Sequence, residues 1–151
     1  MSEARVRVAR AIDVPATTAY DVLRDYRRHH PNILPKPTFE SLEVEEGGVG
    51  EGTLIRVTMR VLGRPRTFRM RVREPEPGRV LAEEDLATGD VTTFTVEPID
   101  GGKRAEVAIE TTWRGKTGLA GWIERTVNPR VVRPLYEREL ANLEAYAQRL
   151  A

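Results

Sequence analysis

Two adjacent histidines, His29 and His30, are the only imidazoles in the 151 residues. Neighbouring side chains diverge, so at most one of them faces a given site. His30, placed directly before Pro31 and after the first helix, is the better candidate for the mouth of a pocket. An imidazole there can accept or donate a proton near neutral pH; the alternative is a surface position. Metal binding by the pair lacks a third ligand at recognisable spacing, so no metal is expected. The run Glu83-Glu84-Asp85 is the second place where chemistry can reside. A carboxylate facing an apolar interior must be paired, wet or protonated, and suits ligand recognition or acid–base work as well as a structural ion pair. Arg66 is a candidate partner for such an acid. With no cysteine in the chain, thiol nucleophiles, disulfides and iron–sulfur clusters are excluded. Gly47-Gly48-Val49-Gly50-Glu51-Gly52 lacks the GK[ST] ending of a phosphate loop and reads as a hairpin loop. Neither a Ser/His/Asp triad nor a nucleotide or flavin fingerprint can be assembled, so no cofactor is expected.

The elements that must position these residues follow from periodicity. Val6, Val8 and Ile12 recur at a spacing of two and mark a first strand, ended by Asp13-Val14-Pro15. Ala16, Ala19, Tyr20 and Leu23 repeat at helical spacing, which predicts a short helix to about Tyr26, with Tyr26 at its inner end. Three prolines between 31 and 37 interrupt regular structure. Six strands follow, at Phe39 to Glu46, Thr53 to Leu62, Arg66 to Glu74, Arg79 to Leu86, Val91 to Ile99 and Arg104 to Trp113, seven in all. A two-residue Gly63-Arg64 turn pairs Met59 with Phe68 and Val57 with Met70. The loop at 100–103 pairs Phe94 with Ile109 and Thr92 with Thr111. The loop at 75–78 sets Glu83 opposite Met70 and Asp85 opposite Phe68, so both acids point inward; a loop one residue different would turn Glu84 inward instead. The opposite face carries Arg56, Arg60, Arg69, Arg71, Arg73, Glu106 and Glu110, the alternation of an antiparallel sheet wet on one side. From Gly118 onward Leu119, Ile123, Val127, Val131 and Leu135 descend by fours, with Trp122, Tyr136, Leu140, Leu143, Ala147 and Leu150 widening the stripe into a long C-terminal helix. Pro129 and Pro134 predict a break or kink, with the regular part after Pro134.

The composition is that of one globular domain spanning 1–151, 40% hydrophobic and 31% charged. Basic and acidic residues nearly cancel at 24 and 23, so charge gives no reason to expect nucleic acid. No apolar run approaches a membrane span of roughly 18 residues, and no signal peptide opens the sequence; a cytoplasmic protein without integral membrane association is expected.

A strand, a short helical excursion, six antiparallel strands and a terminal helix is the order of the helix-grip fold. Ile12-Asp13-Val14-Pro15-Ala16, Asp25-Tyr26-Arg27, Gly48-Val49-Gly50-Glu51-Gly52-Thr53, Glu74-Pro75-Glu76-Pro77-Gly78-Arg79 and Thr92-Thr93-Phe94-Thr95-Val96 stand in that order. Together they resemble the START-like (SRPBCC) superfamily, in its polyketide cyclase/dehydrase and lipid-transport branch. The resemblance implies an α+β fold, a curved seven-stranded antiparallel sheet wrapped on the C-terminal helix, around an apolar pocket. It implies binding of a hydrophobic or amphipathic small molecule such as a lipid. The alternatives are a polyketide aromatase/cyclase or dehydratase, and a co-chaperone-like protein-interaction module. Met59, Phe68, Met70, Phe94 and Trp113 from the sheet, with Trp122 and Tyr136 from the helix, are then the expected lining, and they are ordinary core residues otherwise. Tyr26, His30, Arg66, Glu83 and Asp85 complete the expected site. A cavity of roughly 300 Å³ or more is expected, with the glycine-bearing loop from Arg114 to Gly121 as its gate.

Overall fold

The alternation read in the first strand produces a ten-residue edge. In a computed structural model, which describes residues 3–61, 63–114 and 132–150, β1 (Glu3–Ile12) buries Val8 and Ile12 and exposes Arg5, Arg7 and Arg10. It is followed by α1 (Ala16–Arg24), β2 (Phe39–Glu46), β3 (Leu54–Val61), β4 (Arg64–Glu76), β5 (Val80–Asp85), β6 (Val91–Ile99), β7 (Arg104–Arg114) and α2 (Val132–Gln148). All seven strands form one antiparallel sheet in the order β1-β7-β6-β5-β4-β3-β2. Its apolar face packs on α1 and α2 around Leu23, Tyr26, Val72, Phe94, Leu140 and Leu143. The Gly118–Val131 part of the expected terminal helix and, beyond Arg114, the expected gate lie outside the described residues. Pro134 stands in the first turn of α2, where its missing N–H removes no helical hydrogen bond.

The β6–β7 hairpin has the expected register, Phe94 opposite Ile109 and Thr92 opposite Thr111. The other hairpins slide by two residues. The β3–β4 hairpin pairs Val61 with Arg64 instead of closing on a Gly63-Arg64 turn, with φ 77° at Gly63, so Val57 faces Phe68 and Met59 faces Arg66. A bulge between Arg73 and Glu76 likewise sets Glu83 opposite Val72 and Asp85 opposite Met70, and on the other side Glu83 meets Thr92. A two-residue slide keeps every side chain on its own face, so Glu83 and Asp85 still point inward.

α1 ends at Arg24, earlier than expected, because Asp25 turns the chain. Its backbone is extended (φ −93°, ψ 92°) and its carboxylate accepts the N–H groups of Arg27 and Arg28, while its carbonyl accepts those of His29 and His30. The glycine loop between β2 and β3 seats on this turn through Tyr26 N–H to Gly48 O and Gly50 N–H to Arg24 O. The outer face of the sheet is laced by ion pairs, among them Arg56–Glu43, Arg60–Glu40, Arg69–Glu45 and Arg79–Glu97.

Candidate functional site

The Asp25 turn delivers His30 to the interior. His30 begins a short 3-10 turn (His30–Asn32), is 1% exposed, and places Nδ1 2.6 Å from the carbonyl of Leu23. A carbonyl only accepts, so Nδ1 carries the proton and Nε2 presents a lone pair. The ring is held by two aromatic neighbours: it stacks on Tyr26 at 4.4 Å between centroids and meets Phe94 edge-on at 5.6 Å. Nε2 looks toward two carboxyl groups, Glu83 Oε2 at 3.9 Å and Glu139 Oε2 at 3.8 Å. Tyr26 Oη donates to the same Glu83 oxygen at 2.6 Å. Beside them Tyr136 Oη, Thr111 Oγ1 and Thr92 Oγ1 form a buried hydroxyl chain with links of 2.6 and 2.7 Å.

Burial dominates the electrostatics. It lowers His30 to about 4, which keeps the imidazole neutral. Burial raises Glu83 to about 7 against the stabilising hydrogen bond from Tyr26. It also raises Glu139 well above the ordinary carboxyl range, with the neighbouring Glu83 charge adding to the effect. The site therefore holds a neutral base, His30 Nε2, beside two carboxyl groups whose burial favours their protonated forms. A base and an acid within one apolar enclosure can take a proton from one atom of a bound molecule and give one to another.

These groups surround a cavity of about 30 Å³ between the sheet and α2. This corrects the expectation of roughly 300 Å³: inward side chains of Leu34, Phe39, Leu42, Ile55 and Val57 occupy the space. His30, Met70, Glu83, Phe94 and Tyr136 line the cavity, and Tyr26 reaches it through Glu83. The other expected residues stand elsewhere. Met59 is fully buried in the core, opposite Arg66. Arg66, Phe68 and Asp85 line a separate groove of about 410 Å³ with Leu86, where the Arg66 guanidinium lies 5.3 Å above the Phe68 ring. Asp85 Oδ1 accepts the N–H groups of Ala87 and Thr88, so this acid caps the β5–β6 turn. Trp113 sits on β7 opposite Ala4; its indole, like Trp122, lies outside the described residues. Glu139 was not anticipated, nor were Leu34, Phe39, Leu42, Ile55 and Val57 as lining.

The family described as polyketide cyclase / dehydrase and lipid transport matches residues 3–148. No curated protein matches the chain. Among solved structures, the KanY protein is 26% identical with a TM-score of 0.81, covering 98% of this chain and 99% of its own. The Zhui aromatase/cyclase from a Streptomyces species is 19% identical with a TM-score of 0.70, covering 98% and 95%. Norcoclaurine synthase from Thalictrum flavum, in complex with dopamine and hydroxybenzaldehyde, is 17% identical with a TM-score of 0.71, covering 98% and 88%.

Proposed function

The chain belongs to the polyketide cyclase/dehydrase and lipid-transport family, and from that premise we propose that it binds a small amphipathic molecule between the sheet and α2 and transfers protons on it. The observation that carries this reading is the convergence of His30, Glu83 and Glu139 on one buried cavity. Holding a plain hydrocarbon needs only apolar walls. Burying three titratable side chains opposes folding, and a ligand with a carbonyl or hydroxyl gives those groups a use. In the reaction class that fits, His30 Nε2 takes a proton from carbon next to a carbonyl. Glu139 donates its proton to the carbonyl oxygen as negative charge develops there. Loss of a β-hydroxyl from the resulting enol, protonated by the His30 imidazolium as it leaves as water while the enol O–H returns its proton to Glu139, completes a dehydration; attack of the enol carbon on a second carbonyl, whose oxygen takes the His30 proton as the enol O–H returns its own to Glu139, completes a cyclisation. The same fold occurs in the Zhui aromatase/cyclase and in norcoclaurine synthase in complex with dopamine and hydroxybenzaldehyde.

The test uses an aryl β-hydroxyketone, whose dehydration to the conjugated enone is read by absorbance. His30→Gln is expected to slow turnover by about 10²- to 10⁴-fold, the worth of a positioned general base, with little change in thermal unfolding. A second reading, carriage without reaction, is favoured by the apolar lining of Leu34, Phe39, Leu42, Ile55 and Val57. Binding of the ketone with shifts at the His30 ring but no turnover would select carriage. No binding at all would overturn both.

A further inference from the structure

Leu34 is the partition between the inside and the outside of this protein. It lines the buried cavity, and it also lines a surface groove of about 430 Å³ formed with Pro31, Asn32, Lys36, Asn142 and Arg149. A smaller depression of about 240 Å³ toward β2 shares Leu34, Phe39 and Leu42 with the same cavity. The sheet is open, and β2 is one of its two edges. The proline-bearing segment 29–36 fills the gap between that edge and α2. One row of α2, spaced by fours, holds the segment there. Arg138 donates to Lys36 O at 2.8 Å, Asn142 donates to Ile33 O at 3.0 Å, and Tyr146 Oη meets His29 Nδ1 at 2.8 Å. Two of these bonds grip the backbone of the segment on either side of the half-buried Leu34.

The charges lining the larger groove are all of one sign. Arginines across the outer sheet face carboxylates, whereas no acid lines this groove. Among the described residues neither Lys36 nor Arg149 has an ion-pair partner, and Arg149 lies 5.7 Å over the Tyr146 ring. Both cations stand on the outer side of Leu34, while the apolar cavity and the His30 cluster stand on its inner side.

We infer that the groove is an outer subsite for an acidic group, so that the ligand is an anionic amphiphile: its apolar part passes Leu34 toward His30 and its acidic end stays on Lys36 and Arg149. This rests on the reading of the buried site as a ligand site and adds the class of ligand it takes. The cavity of about 30 Å³ cannot hold such a chain with Leu34 in place, so binding displaces Leu34 outward.

Three probes of equal chain length, octanol, octanoate and octyl phosphate, test this by NMR titration of the intact protein at low salt, with the His30 ring and the amides of 31–42 as readouts. The expected result is that an anionic probe binds about fivefold more tightly than octanol, the scale of two exposed ion pairs. The preference should vanish in about 1 M salt, where screening acts within about 3 Å. It should also vanish in the Lys36→Gln/Arg149→Gln and Lys36→Glu/Arg149→Glu variants, with octanol affinity unchanged. Both positions are exposed, so these variants retain the fold. The better of the two anions identifies a carboxylate or a phosphate end. Equal binding of all three probes with shifts at His30, or an anion preference that survives in the double variants, overturns the outer subsite and leaves the buried site standing. Absence of His30 shifts with every probe overturns both.

Discussion

Glu139 stands four residues after Leu135 and four before Leu143, where the stripe of α2 otherwise carries apolar side chains. Its burial, and that of Glu83, fixes a pH dependence whose sign can be worked out. Glu83 titrates at about 7 in the folded chain against 4.5 ordinarily, so folding favours its protonated form. Relative stability is full below about pH 4.5 and falls as pH rises to about 7. Glu139, whose carboxyl is also raised by burial, acts in the same direction. His30 acts oppositely: its neutral form is favoured, so its contribution is full above its ordinary 6.5 and is lost as pH falls toward about 4. Glu83→Gln keeps the Tyr26 hydrogen bond and removes the charge. It is expected to stabilise the protein at about pH 8 by on the order of 3 kcal/mol, with the gain gone below about pH 4.5. Urea unfolding at the two pH values checks this, and a gain independent of pH would refute it. His30 and Glu83 were legible in the sequence because the first is one of two imidazoles and the second has inward parity on a strand. Glu139 was equally legible as a charged residue inside an apolar stripe, a signal masked by the strength of the stripe around it.

At the scale of elements, the glycine loop shows how tightly the β2–β3 connection is seated. Gly50 has φ 70°, and a Cβ there would stand 2.3 Å from both Arg24 Nη2 and Glu74 Oε1, which pair with each other. Gly50→Ala is expected to destabilise by about 2 kcal/mol through the left-handed backbone and this collision together, as read by chemical denaturation. The segment over Leu34 should respond differently. Asn142→Ala removes one hydrogen bond to Ile33 O and is expected to lower stability by about 1 kcal/mol, with faster hydrogen exchange confined to 30–36. Uniform acceleration across the sheet would show that the segment and the core open as one. Strand faces were legible where registers were not. Turn composition does not say which two residues form the β3–β4 turn, nor that a bulge follows Arg73, yet both errors are slides of two and preserve parity. The cavity volume was illegible for another reason: it depends on how far Leu34, Phe39 and Leu42 reach inward from a segment and an edge whose packing no periodicity reports.

Taken as a whole, the molecule lays a ladder of ion pairs across the outer face of its sheet. Arg69 lies half exposed over Glu45. Arg69→Ala is expected to change unfolding free energy by less than about 1 kcal/mol, and a larger loss would mean that the ladder acts as a network. The two sheet edges complete the picture. β1 exposes Arg5, Arg7 and Arg10, and β2 carries Glu40, Glu43, Glu45 and Glu46. Like edges of two copies repel, but β1 of one copy would attract β2 of the next, the arrangement from which an open-ended fibre grows. The register of β2 stands against that outcome. Irregularities between Phe39 and Ser41 and between Val44 and Glu46 leave only Ser41–Val44 in unbroken register, so an incoming strand would find one short run of donors and acceptors, with both ends of the edge turned out of line.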